Sequence, residues 1–206
     1  MPSELEAVAA EAAGCTRCRL HQSRTQVVFG QGDPHADLMF VGEAPGFHED
    51  RQGIPFVGPS GQLLNRLLED IGLRRQDVYI CNVVKSRPPQ NRDPQPDEIA
   101  ACRPWLDAQI RLVDPKVVVT LGNFAARTLL ETTTGITRLR GQAYPFQGRV
   151  LLPTFHPAAA LHAQGRRTAG PSPQEAMEGD FRVLAELLAA TAPVGEDRPT
   201  EQLGLF

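Results

Sequence analysis

The chain has 206 residues, 41% of them hydrophobic and 22% charged, with a formal net charge of −3 at pH 7. That length suits one domain with a sizeable core, and no apolar run approaches the length that spans a bilayer. The slightly acidic balance excludes a protein coated in basic surface, although a local group of Arg and Lys is enough to contact phosphates.

The N-terminus, Met1-Pro2-Ser3-Glu4-Leu5-Glu6, is acidic and lacks a signal-peptide core, which predicts a cytoplasmic protein. Glu4 to Ala13 then reads as a short helix ending near Gly14, and Cys15 and Cys18 follow as a C-x-x-C pair. Strands are expected at Asp37–Val41, Val78–Val84, Lys116–Leu121 and Arg149–Pro153, all rich in Val, Ile and Leu. Helical patterns lie between them, at Gly61–Ile71, Asp97–Val113 and Asn123–Glu131, with Pro173–Thr191 at the end. Strands without polar alternation are buried on both faces, which implies a parallel sheet covered by helices. The expectation is an α/β fold: a three-layer α/β/α sandwich around a central, mainly parallel four-stranded sheet. One domain takes residues 1–191, and residues 192–206 form a flexible tail.

The most informative stretch is Gly42-Glu43-Ala44-Pro45-Gly46, running on to Glu49, Asp50, Gly53 and Pro55-Phe56-Val57-Gly58. It is a Gly- and Pro-rich loop leaving a buried strand, the place where α/β proteins hold ligands. Phe56 suits either the core or a stacking surface. Asn82, inside an apolar strand, is harder to dismiss, because burying an unpaired amide is costly. A second strand ends in Thr154-Phe155-His156-Pro157. His21, His35, His48 and His162 have no comparable setting and read as surface residues. Lys85, Arg87 and Arg92 share one loop, Arg138 and Arg140 another, and Arg166 and Arg167 a third; each group suits a solvated face or phosphate contacts.

In a cytoplasmic chain the thiols read as metal or redox ligands before disulfides. Cys102 lies in a helix and Cys81 in a strand. Free Cys also packs as a small hydrophobe, and Cys81 fits that reading.

Together these motifs resemble the family 4 uracil-DNA glycosylases, iron–sulfur repair enzymes of bacteria and archaea, over roughly Cys15 to Leu188. The resemblance implies a monomeric glycosylase that acts on uracil-containing DNA in base excision repair, releasing free uracil and leaving an abasic site. It implies that Gly42, Glu43 and Ala44 face the base, that Phe56 stacks on it, that Asn82 reads its pairing edge, and that His156 meets its carbonyl. Glu43 is the implied catalytic carboxylate, with His156 as its partner. Glu49 and Asp50 belong to the same motif, and two roles are open to them: ordering the loop by capping backbone N–H groups, or a share in catalysis. Lys85, Arg87 and Arg92 are the implied DNA contacts, and Leu161 the wedge left in the vacated stack. Ala158 stands where the His-Pro-Ser motif has its Ser, so that phosphate contact lacks its hydroxyl. Gly46 stands where other enzymes place a Tyr that excludes the thymine methyl. The loop from Arg87 to Pro94 holds no His of the kind that family X enzymes bond to the sugar, so turnover is expected.

The family also implies a [4Fe–4S] cluster on four cysteines, and Cys15, Cys18 and Cys102 match three of them. The fourth slot, after Asn82-Val83-Val84-Lys85, is Ser86. Cys81 is disfavoured there, because five residues of extended strand span roughly 17 Å and reverse the side chain's face. The expectation is three thiolates with Ser86 as fourth ligand, or with an open or water-bound iron; zinc or no cluster are the alternatives. Finally, Gln202-Leu203-Gly204-Leu205-Phe206 resembles the peptide with which bacterial repair proteins dock on the sliding clamp, and a tail folded back on its own domain is the rival. Two other functions remain open from sequence: a uracil- or damage-binding module that does not cleave, and an iron–sulfur redox protein.

Overall fold

The computed structural model describes residues 3–163 and 170–191. Arg166, Arg167, the linker and the clamp-like tail lie outside the described residues. The elements are, in chain order, α1 (Glu4–Ala13), β1 (Gln31–Gly32), β2 (Leu38–Gly42), α2 (Phe47–Gln52), α3 (Pro59–Asp70), β3 (Tyr79–Asn82), α4 (Pro96–Val113), β4 (Val117–Leu121), α5 (Asn123–Leu130), α6 (Ile136–Leu139), β5 (Tyr144–Phe146), β6 (Arg149–Thr154), α7 (Pro157–His162) and α8 (Pro173–Thr191).

The sheet has six strands in the order β1-β3-β2-β4-β6-β5. Its four inner strands are parallel. They are the four expected from the Val-, Ile- and Leu-rich runs, and their buried patterns explain why no polar alternation marks them. The two edge strands were not expected. Both pair antiparallel, and each is only two or three residues long.

The sheet separates two apolar cores. On one face α1, α4 and α5 contribute Ala12, Trp105, Leu106, Ile110, Ala125 and Leu129 to a core with Val41, Cys81 and Val118. On the other face α3, α7 and α8 supply Leu64, Leu67, Ala160, Met177 and Phe181 against Phe40, Ile80 and Val119. Phe40 stacks on Phe181 at 5.9 Å between ring centroids. This is the α/β/α sandwich. From β2 the chain moves outward to β3 and returns to β4 on β2's other side, so the carboxyl ends of these strands open a crevice.

Candidate active site

That crevice holds an open cleft of about 710 Å³, lined in its depth by Glu43, Ala44, Phe56, Asn82 and His156. Its floor is set by the parallel register, which puts Gly42 directly beside Asn82. A Cβ on Gly42 would lie 2.4 Å from Asn82 Oδ1 and 2.6 Å from the Phe56 ring, so only glycine lets both side chains close over the strand end. Asn82 is 1% exposed, yet its Oδ1 has no hydrogen-bond partner among the described residues. An orphaned buried acceptor costs about 1–3 kcal/mol. A ligand N–H arriving in the cleft would recover that energy.

Phe56 sits at φ 52°, a left-handed conformation that bulky residues rarely adopt. Several contacts impose it. Arg75 donates from Nη1 to the Phe56 carbonyl at 3.0 Å and from Nη2 to the Pro55 carbonyl. Glu49 Oε1 accepts from the N–H groups of Val57 and Gly58, each at 2.9 Å. Gly61, near the start of α3, presses on the Phe56 carbonyl so closely that a Cβ would lie 1.7 Å from its oxygen. Asp50 is buried and accepts from the Thr25 N–H at 2.9 Å, anchoring α2 to the preceding segment. Glu49 and Asp50 therefore bind the N–H groups of adjoining loops.

His156 closes the far wall, its ring 5.7 Å from that of Phe56 with a 31° tilt. It is the N-cap of α7, and its Nδ1 accepts from the Ala158 N–H at 3.1 Å. That bond leaves the proton of the neutral ring on Nε2. Burial pushes the imidazole down to about 4, with the Glu49 carboxylate opposing weakly. His156 is thus neutral at pH 7 and offers a donor. Behind it, Thr154 and Arg140 both donate to the buried Asp180 carboxylate, at 2.5 and 2.6 Å, fixing the end of β6. Glu43 stands at the end of β2 in the same cleft, and burial, followed by the charge of Asp93, raises its carboxyl to about 7. The fold therefore brings together Gly42, Glu43, Ala44, Phe56, Asn82 and His156.

The basic residues divide. Lys85 is 2% exposed and turned inward, donating from Nζ to the Asn82 carbonyl at 2.5 Å. It does not face DNA, which corrects the expected contact. Its inward turn is possible because β3 ends at Asn82, two residues short of the expected strand. Arg87 donates to Asn91 at 2.7 Å, and Arg92, at the cleft, forms a two-bond ion pair with buried Glu98 at 2.6 and 2.8 Å. Leu161 is partly buried on α7, beside His162 at the cleft mouth. Arg75, Asp93 and Phe47 were missed by sequence reasoning. Of these, Phe47 lies in the loop already singled out, and its apolar character in a polar run was the available signal.

A second cluster of side chains lies on the α1 and α4 side. Cys15, Cys18 and Cys102 pack against one core. Their sulfurs accept N–H groups: Trp105 Nε1 donates to Cys15 at 3.4 Å and the Lys85 N–H to Cys102 at 3.3 Å. Burial raises the thiols of Cys18 and Cys102, and both also feel the charge of Cys15. Ser86 is buried and accepts from Arg24 at 3.3 Å, and Arg24 in turn favours the Cys18 thiolate. Cys81 is fully buried within β3, where Lys85 is its charged neighbour. All four cysteines are free.

Comparison with known proteins places this geometry. Residues 29–181 match the family model of the Uracil DNA glycosylase superfamily. The chain is 44% identical over 192 residues to the type-4 uracil-DNA glycosylase of Sulfurisphaera tokodaii, covering 89% of this chain and 84% of the relative. It is 47% identical over 159 residues to the type-4 uracil-DNA glycosylase of Thermotoga maritima, covering 76% and 83%. The type-5 uracil-DNA glycosylase of Thermus thermophilus is more distant, at 34% over 68% of this chain and 72% of that one. The chain belongs to the uracil-DNA glycosylase superfamily. Within it, the chain belongs to the type-4 uracil-DNA glycosylases.

That family implies an iron–sulfur cluster, and the donor set fits one. Among the described residues no three His, Cys, Asp or Glu side chains converge as they would on a single ion. A cluster is wider than an ion, and three thiols drawn toward one core with N–H groups aimed at their sulfurs suit it.

Proposed function

We propose that this chain hydrolyses the N-glycosidic bond of uracil in DNA, releasing free uracil and leaving an abasic site for repair. The observation that carries the reading is the pairing, in one cleft, of a neutral His156 with its proton on Nε2 and a half-buried Glu43 raised to about 7. Uracil must leave the base stack to reach them. Phe56 would stack on it, contributing ~1–3 kcal/mol. Uracil's N–H lies between two carbonyls, and the unpaired Asn82 Oδ1 suits that donor.

As the bond to C1′ breaks, its electron pair goes to uracil and positive charge collects on the sugar. The His156 Nε2–H donates to the uracil carbonyl that becomes negative, an interaction stronger in the transition state than before it. Glu43 orients a water on C1′, accepts its proton as the new C–O bond forms, and in its ionised form offsets the sugar's charge. Uracil leaves as the anion and takes a proton from solvent.

Cys15, Cys18 and Cys102 would hold the [4Fe–4S] cluster, with Ser86 as fourth ligand. When bound, the cluster supplies a covalent cross-link between the segment after α1, α4 and the loop after β3. Arg87, Arg92 and Leu161 are the proposed DNA contacts, with Arg92 shared between phosphate and Glu98. Gln202, Leu203, Leu205 and Phe206 are the proposed clamp-binding residues. The chain would act as a cytoplasmic monomer, and no described helix is long and apolar enough to cross a membrane. Chromatographic detection of free uracil after incubation with a single-uracil oligonucleotide tests the reading. Absence of uracil at enzyme concentrations matching the substrate would contradict it.

A further inference from the structure

Among the described residues one large apolar side chain stands exposed, Phe47, at 46%. It opens α2, a helix held at both sides by the Glu49 and Asp50 anchors, so the ring projects from a rigid support. The ring lines the same cleft as Phe56 and His156. Two guanidinium groups lie against it, Arg87 at 5.1 Å and Arg51 at 5.6 Å from its centroid, and His48 meets it edge-on at 5.4 Å. The cleft's ~710 Å³ is of drug-sized-ligand scale, larger than one pyrimidine needs. The inner residues account for one base. Phe47, exposed at the rim, is left without an assigned ligand.

We propose that Phe47 is a stacking platform for an unpaired base adjacent to the uracil in the same DNA strand. The inference rests on the proposed function and names a second subsite of its cleft. An exposed aromatic ring gains nothing from water and gains a contact face when a base lies on it. The flanking cations fit the phosphates on either side of such a base. Arg51 is exposed and Arg87 half-buried, so both side chains can exchange the ring for a phosphate oxygen. A base held inside a duplex has its faces occupied by neighbours, so the platform favours single-stranded or locally opened substrate. Phe47 thereby extends recognition beyond the uracil to its neighbour.

Binding of fluorescein-labelled single strands to the full-length chain, read by anisotropy, tests this. Each strand carries one 2′-fluoro-2′-deoxyuridine, whose fluorine disfavours the positively charged sugar and keeps the base attached. One strand has every base; two others replace the base on the 5′ or the 3′ side of the uridine by an abasic spacer. Phe47→Ala is expected to bind the complete strand about tenfold more weakly, and Phe47→Trp to bind it as the native chain does. On one of the two spacer strands the native chain and Phe47→Ala should bind equally, because the base that rests on the ring is gone. Equal weakening of Phe47→Ala on all three strands, or no weakening on the complete one, would overturn the proposal. Uracil release from an ordinary oligonucleotide by the native chain tests the proposed function separately, so a failure of the chemistry and a failure of the platform are distinguishable.

Discussion

His156 Nδ1 accepts the Ala158 N–H at 3.1 Å, and this one bond between residues two apart decides which ring nitrogen can donate into the cleft. The Ala158 position contributes through its backbone, so the side chain that the His-Pro-Ser motif places there is not needed for the tautomer. With the imidazole pushed down to about 4, His156 stays neutral from about pH 5 upward. Replacing it by Ala should lower kcat about 10²–10³-fold, the scale for a lost transition-state donor. Steady-state kinetics on a uracil oligonucleotide checks this, and KM should change far less than kcat.

The pH profile of kcat/KM should show one limb from Glu43. Its carboxyl is raised to about 7, so the ionised base accumulates, and activity rises, as pH increases through that value. No histidine limb should appear between pH 5 and 9, because His156 has already lost its proton. Glu43→Gln should remove the limb together with most of the activity.

The same raised value has an opposite consequence for stability. The fold favours protonated Glu43, so its ionisation destabilises the native state progressively from pH 4.5 to about 7 and by a constant amount above. Glu43→Gln should therefore stabilise the protein at pH 8 by about 1–2 kcal/mol after screening by the open cleft, a few degrees in Tm. At pH 4 the gain should vanish. Thermal melts at the two pH values read the difference.

Arg75 holds the Pro55 and Phe56 carbonyls in the left-handed turn that aims the stacking ring. Arg75→Leu should let that turn relax and raise KM for uracil DNA about tenfold, with a smaller effect on kcat. Competition by free uracil should weaken in parallel, since the same ring would stack on it.

Ser86, the proposed fourth ligand, is buried with its hydroxyl accepting from Arg24, one residue after the Lys85 N–H that reaches Cys102. Ser86→Cys should raise the iron content and lengthen the lifetime of the bound cluster in air, because thiolate binds iron more strongly than a hydroxyl does. Cys102→Ala should lower both. Iron analysis and the decay of visible absorbance follow the change.

The four parallel strands were legible because burial on both faces demands unbroken Val, Ile and Leu runs, as in Val117–Leu121. The edge strands Gln31–Gly32 and Tyr144–Phe146 were not, since two or three partly exposed residues carry no period. Asn82 and His156 could be found from their positions at strand ends. Lys85 was misread because lysine is nearly always exposed, and only the turn after Asn82 buries it. Arg75 gave no local signal: its partners Pro55 and Phe56 lie some twenty positions earlier, and tertiary structure alone joins them.

The most direct test of Glu43 and His156 as the catalytic pair is a single-uracil oligonucleotide incubated with the native chain, Glu43→Gln and His156→Ala, then treated with alkali and run on a denaturing gel. Base excision by this pair of residues predicts cleavage at the uracil by the native chain and a loss of at least two orders of magnitude in rate in each variant. An intact oligonucleotide with the native chain, or undiminished cleavage by either variant, would contradict it.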